Sequence, residues 1–484
     1  MTFEIAELLA PECYPHPVDG VEVVQTHISI VCLAGDRVYK LKKPVTLPFL
    51  DFGTPALREH FCREELRLNR RLCPDIYLDV VPLCRGPRGL NFRGEGAVID
   101  HAVLMVRLPA DRMLDRLLAR DAVTPAEIDR LAHVVAAFHR DADRGERVRA
   151  AGAPAHLAAQ LRANFTDSAP YVGTLLDAAL HAALARAAER DLASLLPRLE
   201  QRAAAGYVVD GHGDLHARNV CLTDPPAIYD CIEFSEAFRC GDTATEIAFM
   251  AMDLRYRGHR PLAERFVASY AAAAGDAEVP ALMPPLVRYR ALVRMKVAAM
   301  AASDHALPPD DREAAGESAR RHLRLAAATV LEDQGACWIA ACGPPASGKS
   351  HLLGALAREA GWPILQSDVI RKELAGVAPT TRLPASAYGE STTDRTYDTM
   401  LARAAATSGV MLLDATWPTR RRRDQLRAAA ARAGAQALVV QLDVPPEVAR
   451  ERLRLRASDP RAVSDADETV FERLARRFEP ATPA

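Results

Sequence analysis

Hydrophobic and polar positions follow two periods in the first part of this chain. Alternation and β-branched side chains typical of strands occur in four segments, which are 21–33, 38–41, 80–83 and 97–108. Between the second and third of these, residues 55–72 place leucine and phenylalanine at helical spacing. This part of the chain therefore predicts a sheet with one inserted helix.

A long helical region follows. Residues 124–139 begin with a threonine at the N-cap, a proline in the first turn and a glutamate three residues on, a typical helix start. Residues 151–205 are rich in alanine, leucine and arginine, and helices are predicted again over 243–330. Short strands at 207–209 and 227–229 interrupt the helices.

The last part of the chain alternates apolar strands with helical segments, the pattern of a parallel α/β sheet. The predicted strands are 337–341, 362–365, 409–413 and 437–442. We place the boundary at residues 331–336, which gives domains over 1–332 and 333–484.

Composition narrows the class of protein. The chain has 484 residues, of which 49% are hydrophobic, and a net charge of −2, so well-filled cores are expected and nucleic acid or membrane partners are not favoured. The ten cysteines form no Cys-x-x-Cys pair, which argues against a zinc site. With no secretory signal pattern and no apolar run of transmembrane length, we expect a cytoplasmic protein.

The segment 212–219, His-Gly-Asp-Leu-His-Ala-Arg-Asn, has the spacing of a phosphotransferase catalytic loop. Asp214 lies at its centre, where it could take the proton of an acceptor hydroxyl. Asn219 and Asp230, which follows the short strand 227–229, are candidate Mg²⁺ ligands.

Upstream, Lys40 and Lys42 lie on one face of a predicted strand, and the next helix carries Glu64 and Glu65. Phosphoryl transfer of this kind needs a lysine on the phosphates of ATP and a glutamate that orients it. We choose Lys40 with Glu65, and keep Lys42 and Glu64 as the alternatives.

These residues, together with Gly241-Asp242, resemble the aminoglycoside phosphotransferase/choline kinase superfamily. The resemblance implies a protein-kinase-like α+β fold, with a small lobe over about 20–108 and a helical lobe over about 109–332. It departs from the superfamily where Cys231 replaces a frequent tryptophan and where no Gly-x-Gly-x-x-Gly occurs. The segment 26–29 is then the candidate cover for the phosphates.

The segment 343–350, Gly-Pro-Pro-Ala-Ser-Gly-Lys-Ser, is a P-loop between an apolar strand and an apolar helix. Its backbone N–H groups would bind phosphates, Lys349 would reach the β- and γ-phosphates, and Ser350 would bind Mg²⁺. The candidate nucleotide-binding residues of this loop are Gly343, Ser347, Gly348, Lys349 and Ser350.

Two aspartates follow predicted strands at the same edge of the sheet as the P-loop. Asp414 suits a Mg²⁺-holding role, whereas Asp368 could deprotonate an acceptor hydroxyl that Arg371 holds. This arrangement resembles the P-loop small kinases related to polynucleotide 5′-kinase, zeta toxin and gluconate kinase. The resemblance implies a lid whose arginines reach the phosphates, for which Arg452, Arg454 and Arg456 are candidates.

The domain order resembles a bacterial family of bifunctional aminoglycoside phosphotransferase/ATP-binding proteins. The leading hypothesis is a tandem kinase that uses ATP and Mg²⁺ to phosphorylate hydroxyl groups of small molecules. One alternative makes the P-loop domain a polynucleotide or toxin-like kinase that the first domain regulates, although the arginine run 420–423 is better explained as a solvated helix start. A second alternative is a non-catalytic, nucleotide-gated sensor.

Overall fold

The computed structural model describes residues 3–47, 50–457 and 463–481. The chain divides into two compact units, Met1–Ala315 and Gly316–Ala484. This division falls inside a helix, Pro309–Asp333, whose C-terminal end adjoins the boundary proposed from sequence at 331–336. Within the described residues, no helix has the length and apolar content needed to cross a membrane.

The first unit begins with an antiparallel sheet in the strand order β1-β2-β3-β8-β6-β7, beside a two-stranded β4-β5 ribbon. One helix, α1 (Pro55–Asn69), is inserted between β5 and β6, as the sequence pattern predicts. The strands are β1 Val21–Gln25, β2 Ser29–Ala34, β3 Arg37–Lys42, β4 Thr46–Leu47, β5 Leu50–Asp51, β6 Tyr77–Gly86, β7 Gly89–Asn91 and β8 Ala97–Val106.

Alternation along β3 decides which side chains face α1. Tyr39 and Leu41 pack with Ile30 in a core on one face of the sheet. Val38 belongs to a second core on the other face, which includes Cys62 of α1. Because side chains alternate along a strand, Lys40 and Lys42 share the face of Val38 and project toward α1.

Helices make up most of the rest of this unit, with short strands forming two small antiparallel pairs, β9 with β12 and β10 with β11. The helices are α2 Leu114–Leu118, α3 Pro125–Asp141, α4 Glu146–Ala151, α5 Pro154–Ser168, α6 Ala178–Ala204, α7 Glu236–Arg239, α8 Thr243–Tyr256, α9 Arg260–Ala274 and α10 Val279–Ala302. Helix α11, Pro309–Asp333, begins in the first unit and continues into the second. The strands are β9 Val208–Asp210, β10 Val220–Cys221, β11 Ala227–Ile228 and β12 Cys240–Asp242.

The second unit contains a four-stranded parallel sheet in the order β14-β15-β13-β16, which confirms the predicted parallel α/β fold. The strands are β13 Cys337–Cys342, β14 Ile364–Gln366, β15 Val410–Asp414 and β16 Gln436–Gln441. The helices are α12 Lys349–Ala360, α13 Ser367–Leu374, α14 Glu390–Ala405, α15 Arg420–Arg432, α16 Pro446–Ala457 and α17 Glu468–Arg477. The central strand β13 is buried along its whole length.

A buried ion cluster fixes the start of α8 in the first unit. Arg202 of α6 donates to Asp242 and Asp276, both at 2.8 Å, and its guanidinium lies 4.0 Å from the centre of the Tyr207 ring. Asp242 in turn caps α8 by accepting from the backbone N–H of Ala244 at 2.8 Å. Removal of Arg202 would leave two buried carboxylates without their main partner.

We expect Arg202→Ala to destabilise the first unit by about 3–5 kcal/mol, because breaking a buried ion pair strands the remaining charges. All three tryptophans, Trp338, Trp362 and Trp417, lie in the second unit. In urea titrations, the far-UV circular dichroism transition should therefore move to lower urea while the tryptophan fluorescence transition stays in place.

Arg162→Ala, at an exposed ion pair with Glu189, is the matched control. If the dichroism transition of Arg202→Ala is unchanged, the buried ion pairs of Arg202 do not stabilise the first unit as we expect.

Candidate active sites

In the first unit, one buried glutamate holds both candidate lysines. Glu65 of α1 accepts from the Nζ atoms of Lys40 and Lys42, each at 2.8 Å. Glu64 faces outward and pairs with Arg67 at 2.7 Å. Burial alone would raise the pKa of Glu65, but the two lysines outweigh it and lower that pKa to about 2. Glu65 thus stays ionised at all physiological pH values.

The two lysines differ in their second partner. Lys40 also donates to Asp230, the candidate metal ligand, whereas Lys42 donates to Glu233 and lies 4.9 Å from the centre of the Phe52 ring. Lys42 is 1% exposed and Lys40 is 14% exposed. Although burial opposes it, the neighbouring carboxylates raise the pKa of both lysines. Lys40 is therefore the lysine that the structure brings to the candidate metal site.

The loop 212–219 brings its candidate residues together. The side-chain amide nitrogen of Asn219 donates to the Asp214 carboxylate at 3.1 Å and to the Asp214 carbonyl at 3.0 Å. His216 Nε2 lies 3.3 Å from the same carboxylate. Burial would raise the pKa of Asp214, but His216, and after it Arg294, hold that pKa well below its usual range. Asp214 is therefore an ionised carboxylate, as a proton acceptor must be.

Two residues that the sequence analysis did not identify, Glu246 and His139, hold the backbone of this loop in position. Glu246 of α8 accepts from the backbone N–H groups of His212 and Gly213, at 2.7 and 2.8 Å. His139 of α3 contacts the same carboxylate at 2.7 Å and Tyr270 at 2.7 Å. A glutamate four residues after Asp242 carries no motif of its own, so only the fold reveals its contact with the loop.

Asp230 occupies a turn with φ of 64°, a left-handed conformation that an aspartate adopts more readily than most residues. Its backbone N–H donates to the Tyr77 hydroxyl at 3.2 Å. The next residue, Cys231, donates its N–H to Asn69 at 2.9 Å, so the position of the expected tryptophan is filled by a buried thiol.

The donor set fits Mg²⁺. The amide nitrogen of Asn219 is engaged with Asp214, which leaves the amide oxygen as the ligand atom, and Asp230 adds a carboxylate. Oxygen ligands in small number, completed by phosphate oxygens, are what Mg²⁺ takes in such sites. The described residues contain no group of three or more His, Cys, Asp or Glu suited to another kind of metal centre.

In the second unit the P-loop connects β13 to α12. Gly343 has a φ of 147°, and a Cβ atom there would lie 2.6 Å from the carbonyl oxygen of Leu442. Gly348, with a φ of 103°, precedes the first residue of α12. Both positions need glycine, so the loop can adopt a phosphate-binding shape at the N-terminus of the helix.

Lys349 lies folded into this loop. Its Nζ donates to the carbonyl of Pro344 at 2.7 Å and to the Ser347 hydroxyl at 3.4 Å. Burial lowers the pKa of Lys349 to about 8, because Asp414 and Asp368 only partly offset the loss of hydration. Ser350, the candidate metal ligand, is exposed at the start of α12.

Asp414 and Asp368 follow neighbouring strands, as predicted. Asp414 ends β15 and accepts from Gln366 at 3.2 Å. Burial raises the pKa of Asp368, against the hydrogen bond from Ser464 and the charge of Arg371. Arg371 is buried beneath Tyr388 and donates to the carbonyl of Ala387 at 3.1 Å. Asp414 and Ser350 are oxygen donors of the kind that Mg²⁺ prefers.

A segment that sequence reasoning did not single out, 463–466, lies beside Asp368. The fully buried Lys372 donates to the carbonyl of Val463 at 2.7 Å and to Asp465 at 3.2 Å. Asp465 also accepts from the Tyr388 hydroxyl at 2.6 Å. These bonds hold Ser464 where its hydroxyl meets the Asp368 carboxylate.

The three candidate lid arginines of α16 have different surroundings. Arg452 donates to the P-loop carbonyl of Ala346 at 3.2 Å. Arg456 donates to the carbonyl of Ala466 at 2.8 Å, and Asp368 and Asp465 act on its charge. Arg454 pairs with Glu468 at 2.7 Å and is largely exposed. Arg452 and Arg456 therefore lie toward the P-loop site, whereas Arg454 does not.

Comparisons with known proteins cover both units. The family described as "Phosphotransferase enzyme family" matches residues 53–285, and the family described as "AAA domain" matches residues 339–481. Uncharacterized proteins of Mycobacterium tuberculosis and Mycobacterium bovis are 29% identical over 431 residues, which is 87% of this chain and 83% of theirs.

Two solved structures are similar to parts of the chain. A choline/ethanolamine kinase family protein from Mesorhizobium loti aligns with 66% of this chain and 89% of its own, at 13% identity and a TM-score of 0.40. A gluconokinase from Sinorhizobium meliloti aligns with 29% of this chain and 74% of its own, at 20% identity and a TM-score of 0.22.

We expect Glu65→Gln to lower the affinity of the first site for ATP at least tenfold, since the lysines lose the charge that orients them. Glu64→Gln, which removes only an exposed pair with Arg67, should leave that affinity within about twofold. ATP binding is measured by isothermal titration calorimetry in proteins that also carry Lys349→Ala. This substitution weakens the second site, so the signal comes from the first. Equal losses in the two glutamate variants would contradict the choice of Glu65.

The lowered pKa of Lys349 predicts pH-dependent ATP binding at the second site. Without nucleotide, Lys349 is mostly neutral above about pH 8, whereas bound phosphates favour its charged form. Binding then takes up a proton, so affinity should fall up to about tenfold per pH unit above pH 8. Lys349→Arg is the control, because arginine stays charged across this range. The same slope in both proteins, measured by calorimetry from pH 7 to 9.5, would refute the prediction.

Proposed function

We propose that this chain is a tandem kinase, since the family described as "Phosphotransferase enzyme family" matches residues 53–285 and the family described as "AAA domain" matches residues 339–481. Each domain transfers the γ-phosphate of ATP to a hydroxyl group of a small-molecule acceptor. The observation that carries this proposal is that each unit holds a buried lysine beside carboxylates at its candidate phosphate site, Lys40 in the first unit and Lys349 in the second.

In the first domain, Lys40, fixed by Glu65, binds ATP phosphates, and Asp214 accepts the proton of the acceptor hydroxyl. Asn219 and Asp230 hold Mg²⁺, which neutralises charge on the phosphates when it is bound. The hydrogen bond from Asn219 to Asp214 keeps the carboxylate in place, so the side chain needs no reorganisation when an acceptor arrives.

In the second domain, the P-loop backbone and Lys349 bind the phosphates, and Ser350 and Asp414 hold Mg²⁺. Asp368 is the proton acceptor, and its pKa, raised by burial, brings it closer to the strength that a base needs near neutral pH. Arg371 supports the acceptor side, while Arg452 and Arg456 face the phosphates from α16.

Contacts within the arginine run 420–423 favour a small acceptor over a nucleic acid. Arg423 is buried and donates to the carbonyl of Trp417 at 3.0 Å, and Arg422 is paired with Asp394. Two of the four cationic side chains are thus committed to internal contacts, which leaves less positive charge to bind phosphates of a nucleic acid strand.

Two conservative substitutions test the tandem proposal. Asp214→Asn and Asp368→Asn should each remove one part of the acceptor-dependent ADP release, by about 10²-fold or more for the site concerned, and the double variant should remove both parts. The measurement is coupled ADP release over sugars, amino alcohols, hydroxy acids and 5′-hydroxyl oligonucleotides.

Asp310→Asn, an exposed aspartate of α11, is the matched control and should keep full activity. Tight ATP binding without turnover at either site would instead support the sensor. ADP release with the 5′-hydroxyl oligonucleotides alone would support the alternative in which the P-loop domain is a polynucleotide kinase.

A further inference from the structure

Helix α10 presents two arginines to the catalytic side of the first unit. Arg290 and Arg294 are four residues apart, so they lie on one face of the helix. The Nε of Arg290 donates to the carbonyl of Thr245 in α8 at 3.0 Å, and its guanidinium lies 4.8 Å from the centre of the Phe249 ring. These contacts fix the direction of the side chain.

Both arginines lie near the catalytic loop. Arg290 lines the same cavity as Gly213, the residue that precedes Asp214. The charge of Arg294 helps to hold the pKa of the Asp214 carboxyl low, which places its guanidinium in the same neighbourhood. The face of α10 that carries these arginines therefore borders the place that an acceptor must occupy.

The guanidinium groups of both arginines have N–H donors available for a ligand. Within the described part of the chain, Arg290 makes a hydrogen bond only through its Nε, and Arg294 makes no hydrogen bond or ion pair. An arginine carries five donors in a planar fork, a geometry that matches a carboxylate or phosphate. Both side chains are half-buried, which strengthens a charged contact relative to one in open water.

The nearby carboxylates, in contrast, are already engaged. Four of them follow Asp230 in the sequence, and each is paired with a basic side chain: Glu233 with Lys42, Glu236 with Arg147, Asp242 with Arg202 and Glu246 with His139. A cationic acceptor would need carboxylates that are available to it. The surroundings of Asp214 instead offer positive charge to an incoming molecule.

We propose that the acceptor of the first domain is an alcohol that also carries an anionic group, a carboxylate or a phosphate, which Arg290 and Arg294 bind. This inference rests on the proposed kinase function of the domain. With the anion held by α10, the hydroxyl lies at Asp214. The hydroxyl gives its proton to Asp214, its oxygen bonds to the γ-phosphorus of ATP, the bond from that phosphorus to the β–γ bridging oxygen breaks, and ADP leaves.

The test compares acceptors that share a skeleton but differ in charge, in a chain whose second domain is silenced by Lys349→Ala and Asp368→Asn. The sugars are glucose, glucosamine, glucuronate and glucose 6-phosphate, and the small polyols are glycerol, glycerate and glycerol 3-phosphate. We expect kcat/KM for the anionic members to exceed that for the neutral ones by about 10- to 100-fold. Comparison of the carboxylates, glucuronate and glycerate, with the two phosphate esters shows which kind of anion the site prefers.

Arg290→Gln and Arg294→Gln should each lower this preference toward unity, mainly by raising KM for the anionic acceptor. Arg294→Lys, which keeps the charge but not the fork, should retain part of it. Arg186→Gln, an exposed position on α6, is the control for loss of charge and should change nothing. A higher kcat/KM for the neutral or cationic members, or an anion preference that survives both glutamine variants, would overturn the proposal.

Binding gives a second readout that does not depend on turnover. With Mg²⁺ and a non-hydrolysable ATP analogue, anionic members of the panel should raise the Tm of the silenced chain, and the rise should be lost in Arg294→Gln. A Tm rise that neutral or cationic members match would again overturn the inference. ADP release that does not depend on Asp214 would defeat the proposed kinase function, whereas the Tm ranking would still decide the charge of the ligand.

Discussion

One buried carboxylate, Glu65, organises the candidate site of the first unit. It is shared by Lys40 and Lys42 of β3, and each lysine reaches a second carboxylate in the segment 230–233. The sheet, α1 and the segment 230–233 are therefore joined by ion pairs around Glu65, whose side chain is fully buried. Removing Glu65 would take from both lysines the carboxylate that they share, so this side chain holds β3 and α1 in one arrangement.

The candidate phosphate-binding lysines of the two units have opposite electrostatic surroundings. Carboxylates surround Lys40 and keep it charged with or without nucleotide. Lys349 has a backbone carbonyl as its close partner, and burial brings its pKa to about 8. In the proposed function, the first lysine is charged before ATP binds, whereas the second keeps its proton above about pH 8 only when phosphates are bound. The two sites should respond differently to pH for this reason.

Residues that lie in a motif, or at the place along the chain where a motif leads one to expect them, were named from the sequence, whereas residues that support them from distant elements were not. Asp214 and Asn219 are five positions apart in one loop, so their proximity follows from local spacing. His139 contacts Glu246 across 107 positions, and Lys372 contacts Asp465 across 93. Such pairs leave no periodic or compositional trace, because each partner satisfies the local rules of its own helix or loop.

The sequence by itself determined the two kinds of fold, their order and the residues of both phosphate loops, because hydrophobic period and motif spacing act over short stretches of chain. Only the tertiary structure decided that Glu65 and not Glu64 holds the lysines, that Lys40 is the one beside Asp230, and that Arg290 lines a cavity with Gly213. Those choices depend on which face of a helix or strand is buried against a distant element. That is set by packing of the whole unit and not by the neighbours of a residue in sequence.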